Sequence, residues 1–211
     1  QSVVIPRRDG ATVIAVGVGE RPSSGDLRDA AAVAVRNAQR HQDVTLDLLS
    51  AGSSNSADAR AVTEGALLAA YRYPGITAKP DTQARFASLT IVTSGAAAVE
   101  RGVREGVVRS RATYLARDLA NTPPAHLNAR DLEVIVTDLA PTHGFDVEVF
   151  DENDLEEMGC GGLLGVNKGS VEPPRLMRLT YTPRNPRGHV ALVGKGVMYD
   201  SGGISLKPSD A

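Results

Sequence analysis

Three polar side chains late in the sequence could do chemistry together. Lys195, Asp200 and Lys207 lie within Val193-Gly194-Lys195-Gly196-Val197-Met198-Tyr199-Asp200-Ser201-Gly202-Gly203-Ile204-Ser205-Leu206-Lys207-Pro208. An aspartate carboxylate is a hard ligand for a divalent metal and can bridge two ions. Bridged ions about 3.5–4 Å apart clamp a water nucleophile and a substrate carbonyl. An ammonium has no lone pair, so Lys195 can ligate only as a neutral amine, a state that burial beside cations favours. Lys207 could stay protonated and hold developing oxyanion charge. The glycines of the stretch let the backbone fold tightly around such ions. Against this stands the ordinary reading of a Lys–Asp pair in a Gly-rich loop, a surface turn with a weak ion pair. From spacing alone that reading is the commoner one.

The elements that must position this loop can be read from periodicity. Residues 12–18, 44–49 and 87–93 are apolar runs that predict strands. Helical spacing of apolar residues predicts helices over 27–40 and 57–71. Their alternation predicts an α/β fold with a largely parallel sheet and helical crossovers. A long helix follows over about 96–120, carrying Arg101, Arg104, Arg109, Arg111 and Arg117, and Asn121-Thr122-Pro123-Pro124 ends it. This gives three parts: an α/β domain over 1–95, a linking helix over 96–122 and a second unit over 123–211. In the second unit the pattern predicts a helix at 129–140, a strand at 146–150 and a short acidic helix at 152–158. A Gly-rich loop at 159–162 and strands at 176–182 and 189–194 follow, the last delivering Lys195.

Composition removes several functions. Aromatic residues are scarce and Trp is absent, which argues against a reader that stacks bases. A net charge of -2 gives no general attraction to phosphate backbones or anionic lipid. One cysteine, Cys160, excludes an intrachain disulfide and a cysteine zinc knuckle, and it reads better as a packing residue than as a nucleophile. No apolar run reaches membrane-spanning length, and Gln1-Ser2-Val3-Val4-Ile5-Pro6 has no secretory pattern, so a cytoplasmic location is expected. The absence of an initiating Met suggests processing or trimming. Gly17 and Gly194 each begin a failed G-x-G-x-x-G, and Gly165-Val166-Asn167-Lys168-Gly169-Ser170 is a poor phosphate loop because Asn167 stands where Gly must precede Lys. There is no H-E-x-x-H and no G-x-S-x-G.

The stretch V-G-K-G-V-x-Y-D-S-G-G-I-S-L-K-P resembles the signature of the leucyl (cytosol) aminopeptidase family of two-metal exopeptidases. Leu115-Ala116-Arg117-Asp118-Leu119-Ala120-Asn121-Thr122-Pro123-Pro124 is similar to the family's inter-domain helix and the N-T-P after it. Asp151 through Met158, then Gly165 through Ser170, then Pro173-Pro174-Arg175, follow the family's order. The resemblance is strong over about 113–211 and weaker over 1–112.

It implies a smaller N-terminal domain resembling a macro domain and a catalytic domain with a central mixed sheet. It implies that Lys195 and Asp200 are metal ligands, with Asp200 on both ions. Lys207 would be the catalytic lysine that polarises the carbonyl or stabilises the tetrahedral intermediate. The implied reaction is metal-dependent removal of N-terminal residues from peptides, with a Leu-type preference, using two divalent ions, zinc or manganese. The implied assembly is a homo-oligomer, typically a homohexamer, with no membrane and no nucleic acid. The family's further ligands, an Asp and a D-x-E pair, and its Arg would follow Ala211. Two ligands cannot hold a two-metal cluster, so the 211-residue chain is expected to be incomplete and inactive alone. By the same resemblance the N-terminus is short and lacks a first strand. The alternative is a nucleotide- or DNA-binding or assembly module without catalysis, resting on 1–95 and the helix arginines, for which a solvated face or a subunit contact is the better reading.

Overall fold

A computed structural model describes residues 1–8, 10–73, 75, 87–95 and 97–199, and the chain divides into two compact units, Gln1–Asn121 and Thr122–Ala211. The first unit opens with an antiparallel pair, β1 (Ser2–Pro6) and β2 (Thr12–Val16), in register from Ser2 opposite Val16 to Pro6 opposite Thr12. A strand thus precedes the first one read from the sequence at 12–18. Five residues separate the strands, too few for a crossover, so the pair must be antiparallel. Gly10 at φ +85° makes the turn.

Helix α1 (Ser24–Asn37) starts from a reciprocal cap. Ser23 Oγ accepts from Asp26 N–H at 3.2 Å, and an Asp26 carboxylate oxygen accepts from Ser23 N–H at 2.8 Å. Ser23 Oγ–H also donates to the Asp26 carboxylate at 2.6 Å, and this side-chain bond first, with the backbone bond second, holds the Asp26 carboxyl below the ordinary range. Strands β3 (Asp43–Leu46) and β4 (Ser88–Ile91) pair in parallel, Asp43 opposite Ser88, with α2 (Ser56–Ala70) in the connection between them. This is the one parallel pair among the described residues. A largely parallel sheet was expected from alternation alone. Alternation does not reveal which strands are joined by turns rather than crossovers.

Small residues let the helices of this unit come close. A Cβ built on Gly65 of α2 would lie 2.0 Å from the Arg28 carbonyl oxygen of α1. Helix α3 (Ala97–Asn121) lies along α2: a Cβ on Gly102 would sit 2.2 Å from the Ser56 carbonyl oxygen, and one on Gly106 would meet Thr63 at 2.7 Å. Leu27, Ala31, Val35, Leu49, Ala59, Val62, Ala66 and Val99 form the buried core, with Ile14 and Val16 of β2 packed against it. Asp58, 5 % exposed, accepts from Ser24 Oγ–H at 2.6 Å and from Ser53 N–H at 2.8 Å. It thereby ties the start of α1 to the turn before α2, and the buried carboxylate is hydrogen-bonded as burial requires.

The second unit begins with a Pro-rich turn whose Leu127 is buried. Asn128 caps α4 (Ala129–His143), which closes on Gly144 in the left-handed region. Strand β5 (Asp146–Phe150) pairs antiparallel with β6 (Leu176–Thr180), placing Glu148 opposite Arg178. Between them lie α5 (Glu152–Glu157) and α6 (Gly161–Asn167). The expected Gly-rich loop at 159–162 is a turn only at its start, because Gly161 already opens α6. Leu127 and Leu155 are the buried hydrophobic side chains of this unit among its described residues. Helices and small sheets make the chain mixed α/β. No helix of the described residues is long and apolar enough to cross a membrane.

Candidate functional site

After β6 the chain runs through 181–199 without helix or strand. Val190, Leu192 and Val193 are 87, 93 and 99 % exposed. The strand expected at 189–194 is thus not formed. An unbroken apolar run reads as a strand buried on both faces, and such a strand needs pairing groups for its N–H and C=O. Neither β5 nor β6 pairs with it. Lys195 stands exposed in this irregular segment. Asp200 and Lys207 lie outside the described residues. Among the described residues no group of three or more His, Cys, Asp or Glu side chains is placed to hold a metal ion.

The structure does resolve the other matched segment, Leu115–Asn121. The last four carbonyls of any helix lack intrahelical donors, and α3 supplies two of them to α2. Tyr114 Oη–H donates to Leu67 O, and Arg117 donates to Leu68 O at 3.2 Å. Arg117 also lies 5.1 Å from the centre of the Tyr71 ring, which stacks at a tilt on Tyr114 at 5.1 Å. Tyr71 Oη–H donates to Asp118 at 2.8 Å and accepts from Asn121 at 3.2 Å. Partial burial first, then the bond to Asp118, raises the Tyr71 pKa, and burial raises that of Tyr114. The role of Arg117 in this node was invisible among five helix arginines. The usable signal was the Tyr114 to Arg117 spacing of three on a helix that must cover the end of its neighbour.

The arginines divide by face. Arg109 lies 3.8 Å from Glu64, which Arg60 also approaches at 3.8 Å. Arg101, Arg104 and Arg111 are exposed. In the second unit Arg175, of the Pro-Pro-Arg motif, donates to Glu133 at 2.7 Å and to the Pro174 carbonyl at 2.8 Å, anchoring the start of β6 to α4. A surface groove of about 390 Å³ runs between α5, α6 and the following loop, with Glu152, Glu156, Glu172 and Lys168 on its walls.

Two models of one family match the chain, and together they span most of it. The N-terminal domain of the cytosol aminopeptidase family matches residues 2–80, and its catalytic domain matches residues 114–211. The chain belongs to the cytosol aminopeptidase family. A probable cytosol aminopeptidase of Corynebacterium diphtheriae is 37 % identical over 212 residues, covering 98 % of this chain and 41 % of that protein. One of Streptomyces avermitilis is 39 % identical, covering 93 % of this chain and 41 % of its own length. A solved bottromycin maturation enzyme, BotP, in complex with Mn superposes with a TM-score of 0.76 at 35 % identity, over 88 % of this chain and 40 % of that one. A tomato leucine aminopeptidase mutant shares the fold with a TM-score of 0.76 at 24 % identity, over 89 % of this chain and 39 % of that one. The chain spans about two fifths of the length of the curated relatives it matches.

The cytosol aminopeptidase family is metal-dependent, and the residues present can be tested against that requirement. A lysine nitrogen and a carboxylate suit a divalent ion in donor type. A catalytic ion usually takes three protein ligands, and the described residues offer no such cluster. The described residues therefore do not complete a metal site, and no catalytic step is derived from them.

Proposed function

We propose that this chain contributes the N-terminal domain and the first part of the catalytic domain to a metal-dependent aminopeptidase that releases N-terminal residues, with a Leu-type preference, from peptides. In this reading Lys195 and Asp200 are metal ligands, Asp200 contacting two divalent ions (zinc or manganese), and Lys207 acts on the substrate carbonyl. The remaining ligands come from outside these 211 residues. The observation that carries the reading is the run from Val193 to Pro208 inside the region matching the family's catalytic domain. An ammonium held near the carbonyl oxygen would stabilise the charge that develops there. The same reading includes a cytoplasmic location and self-association of the chain into a homo-oligomer, with a hexamer as the expected size.

The test is hydrolysis of leucine p-nitroanilide with manganese or zinc, by this chain and by a version extended through the full catalytic domain. The extended protein is expected to be active and this chain inactive. Asp200→Ala in the extended protein should lower kcat by at least about a hundredfold, the scale of removing one strong electrostatic contributor. An extended protein that is inactive with every metal, or unaffected by Asp200→Ala, overturns the proposal.

A further inference from the structure

The chain passes from the first unit to the second between Asn121 and Thr122, and the two sides of that joint are built differently. On the far side the backbone is tied at once. His126 N–H and Leu127 N–H both donate to the Pro123 carbonyl, at 2.8 and 3.1 Å, and Leu127 is buried. Proline fixes its own φ and narrows the residue before it, so Thr122 and Pro123 are held toward extended backbone. On the near side stands the last turn of α3, which the same prolines weaken. In a continuing helix the N–H groups of residues 123 and 124 would donate to the carbonyls of Leu119 and Ala120. Pro123 and Pro124 have no N–H to give. Side chains must hold a helix end of this kind, or it frays.

The side chains at the end of α3 converge on Tyr71, the residue directly after α2. Its Oη–H donates to Asp118 at 2.8 Å and its oxygen accepts from Asn121 Nδ2–H at 3.2 Å. Arg117 lies 5.1 Å from the centre of its ring. Three of the last five residues of α3 therefore meet one phenol. A neutral hydroxyl can donate and accept at once, which this double role requires. The bond to a carboxylate is also stronger than a bond between neutral groups. Tyr114 and Arg117 work in the opposite direction, since their donors go to Leu67 O and Leu68 O and hold the end of α2. The Tyr71 hydroxyl is the group from α2's end that holds α3 in return.

We propose that the Tyr71 hydroxyl is a latch on the last turn of α3, and that it sets how much irregular backbone joins the two units. With the latch closed, α3 stays helical to Asn121, and Thr122 alone separates it from the turn that begins at Pro123. With the latch open, the helix frays back to Arg117 and the irregular connection lengthens to about five residues, 118–122. Losing two such bonds, one of them to a carboxylate, shifts a local equilibrium by at least about tenfold. Local opening of this kind is separate from global unfolding and leaves the core of the unit intact. The latch needs no metal, so it stands apart from the peptidase reading.

The test is trypsin cleavage of the folded 211-residue chain, with the fragments identified by mass. Trypsin cuts after arginine and needs non-helical backbone. Cleavage after Arg117 therefore reports opening of the last turn of α3, and cleavage after Arg109 and Arg111 reports loss of the helix as a whole. Tyr71→Phe keeps the ring and removes the hydroxyl. It should speed cleavage after Arg117 at least about tenfold, because cleavage follows the open population, and leave the rates after Arg109 and Arg111 within about twofold. Tyr114→Phe, which gives up a bond to Leu67 O and spares those of Tyr71, is the control and should not favour Arg117. Hydrogen exchange of the amides of 119–122 makes the same comparison without a protease, and should quicken in Tyr71→Phe while the amides of Ala31 and Val35 keep their rates. The latch is overturned if Tyr71→Phe leaves cleavage after Arg117 and exchange at 119–122 unchanged. It is equally overturned by acceleration after all three arginines alike, or by the same selectivity in Tyr114→Phe.

Discussion

Substituting Gly65 by Ala adds a single carbon atom, yet it should be among the most damaging changes available in the first unit. The new Cβ would lie 2.0 Å from the Arg28 carbonyl oxygen, 2.8 Å from its carbonyl carbon and 3.0 Å from its Cα. These are backbone atoms of α1, so no rotamer change relieves the contact. Reaching ordinary separation requires α1 and α2 to move apart by more than an ångström. A gap of 0.5–1 Å already forfeits roughly a quarter to a half of each dispersion contact, and the layer affected includes Leu27, Ala31, Val62 and Ala66, all at 0 % exposure. Overpacking costs about 1–3 kcal/mol, and a backbone obstacle places this case at or above the upper end. Alanine regains about 1 kcal/mol of helix propensity. The expected net loss is about 2 kcal/mol or more, a fall of about 6–12 °C in the melting of this unit. Circular dichroism melting of Gly65→Ala checks this, with Gly162→Ala as control, because a Cβ there meets nothing within 4 Å. A Gly65→Ala chain that melts at or above the parent temperature refutes the packing argument.

Other outcomes follow from the hydrogen bonds. Tyr114→Phe removes the donor to Leu67 O and should cost about 1 kcal/mol in urea unfolding. Asp58→Ala strands the Ser53 N–H and the Ser24 hydroxyl and should cost about 2 kcal/mol, whereas Thr63→Val, which gives up only a bond back to Ala59 O, should cost less. The bond from Arg178, ahead of its charge, holds the Glu148 pKa below that of an ordinary glutamate. A depressed folded-state pKa stabilises the fold above the unfolded-state value, and that contribution disappears as pH falls through the folded value. An NMR titration should therefore find the Glu148 midpoint low in the parent chain and raised in Arg178→Gln. An unmoved midpoint would remove the pair from the account of β5–β6 pairing.

Much of the element order was legible because apolar period and caps are local properties. Residues 27–40, 57–71, 129–140 and 146–150 each lie over an observed element whose burial or cap explains it. Strand β1 was missed because Ser2–Pro6 is exposed along its whole length and shows no alternation. The parallel pairing of β3 with β4 agrees with the alternation, whereas the antiparallel pairs β1–β2 and β5–β6 were not foreseen because they depend on connections, not on the strands themselves. At the candidate site, residue types pointed to the family that the comparisons establish. Geometry was not legible there, since a strand such as 189–194 takes its form from neighbours distant in sequence. The Tyr71–Tyr114–Arg117 node was likewise hidden, because it joins residues 43 and 46 positions apart that no window on the sequence brings together.

The near-contact of backbones at Gly65, Gly102 and Gly106 makes the first unit lopsided in what it can absorb over evolutionary time. At Gly102 and Gly106, on the inner side of α3, no residue larger than glycine fits without prising two helices apart, so drift at these positions is closed. The outer side, a few ångströms away on the same helix, is open to almost any polar exchange that preserves helicity. New binding behaviour in this unit can therefore arise cheaply on one side of α3, while the opposite side stays frozen by the geometry that holds the helix in place.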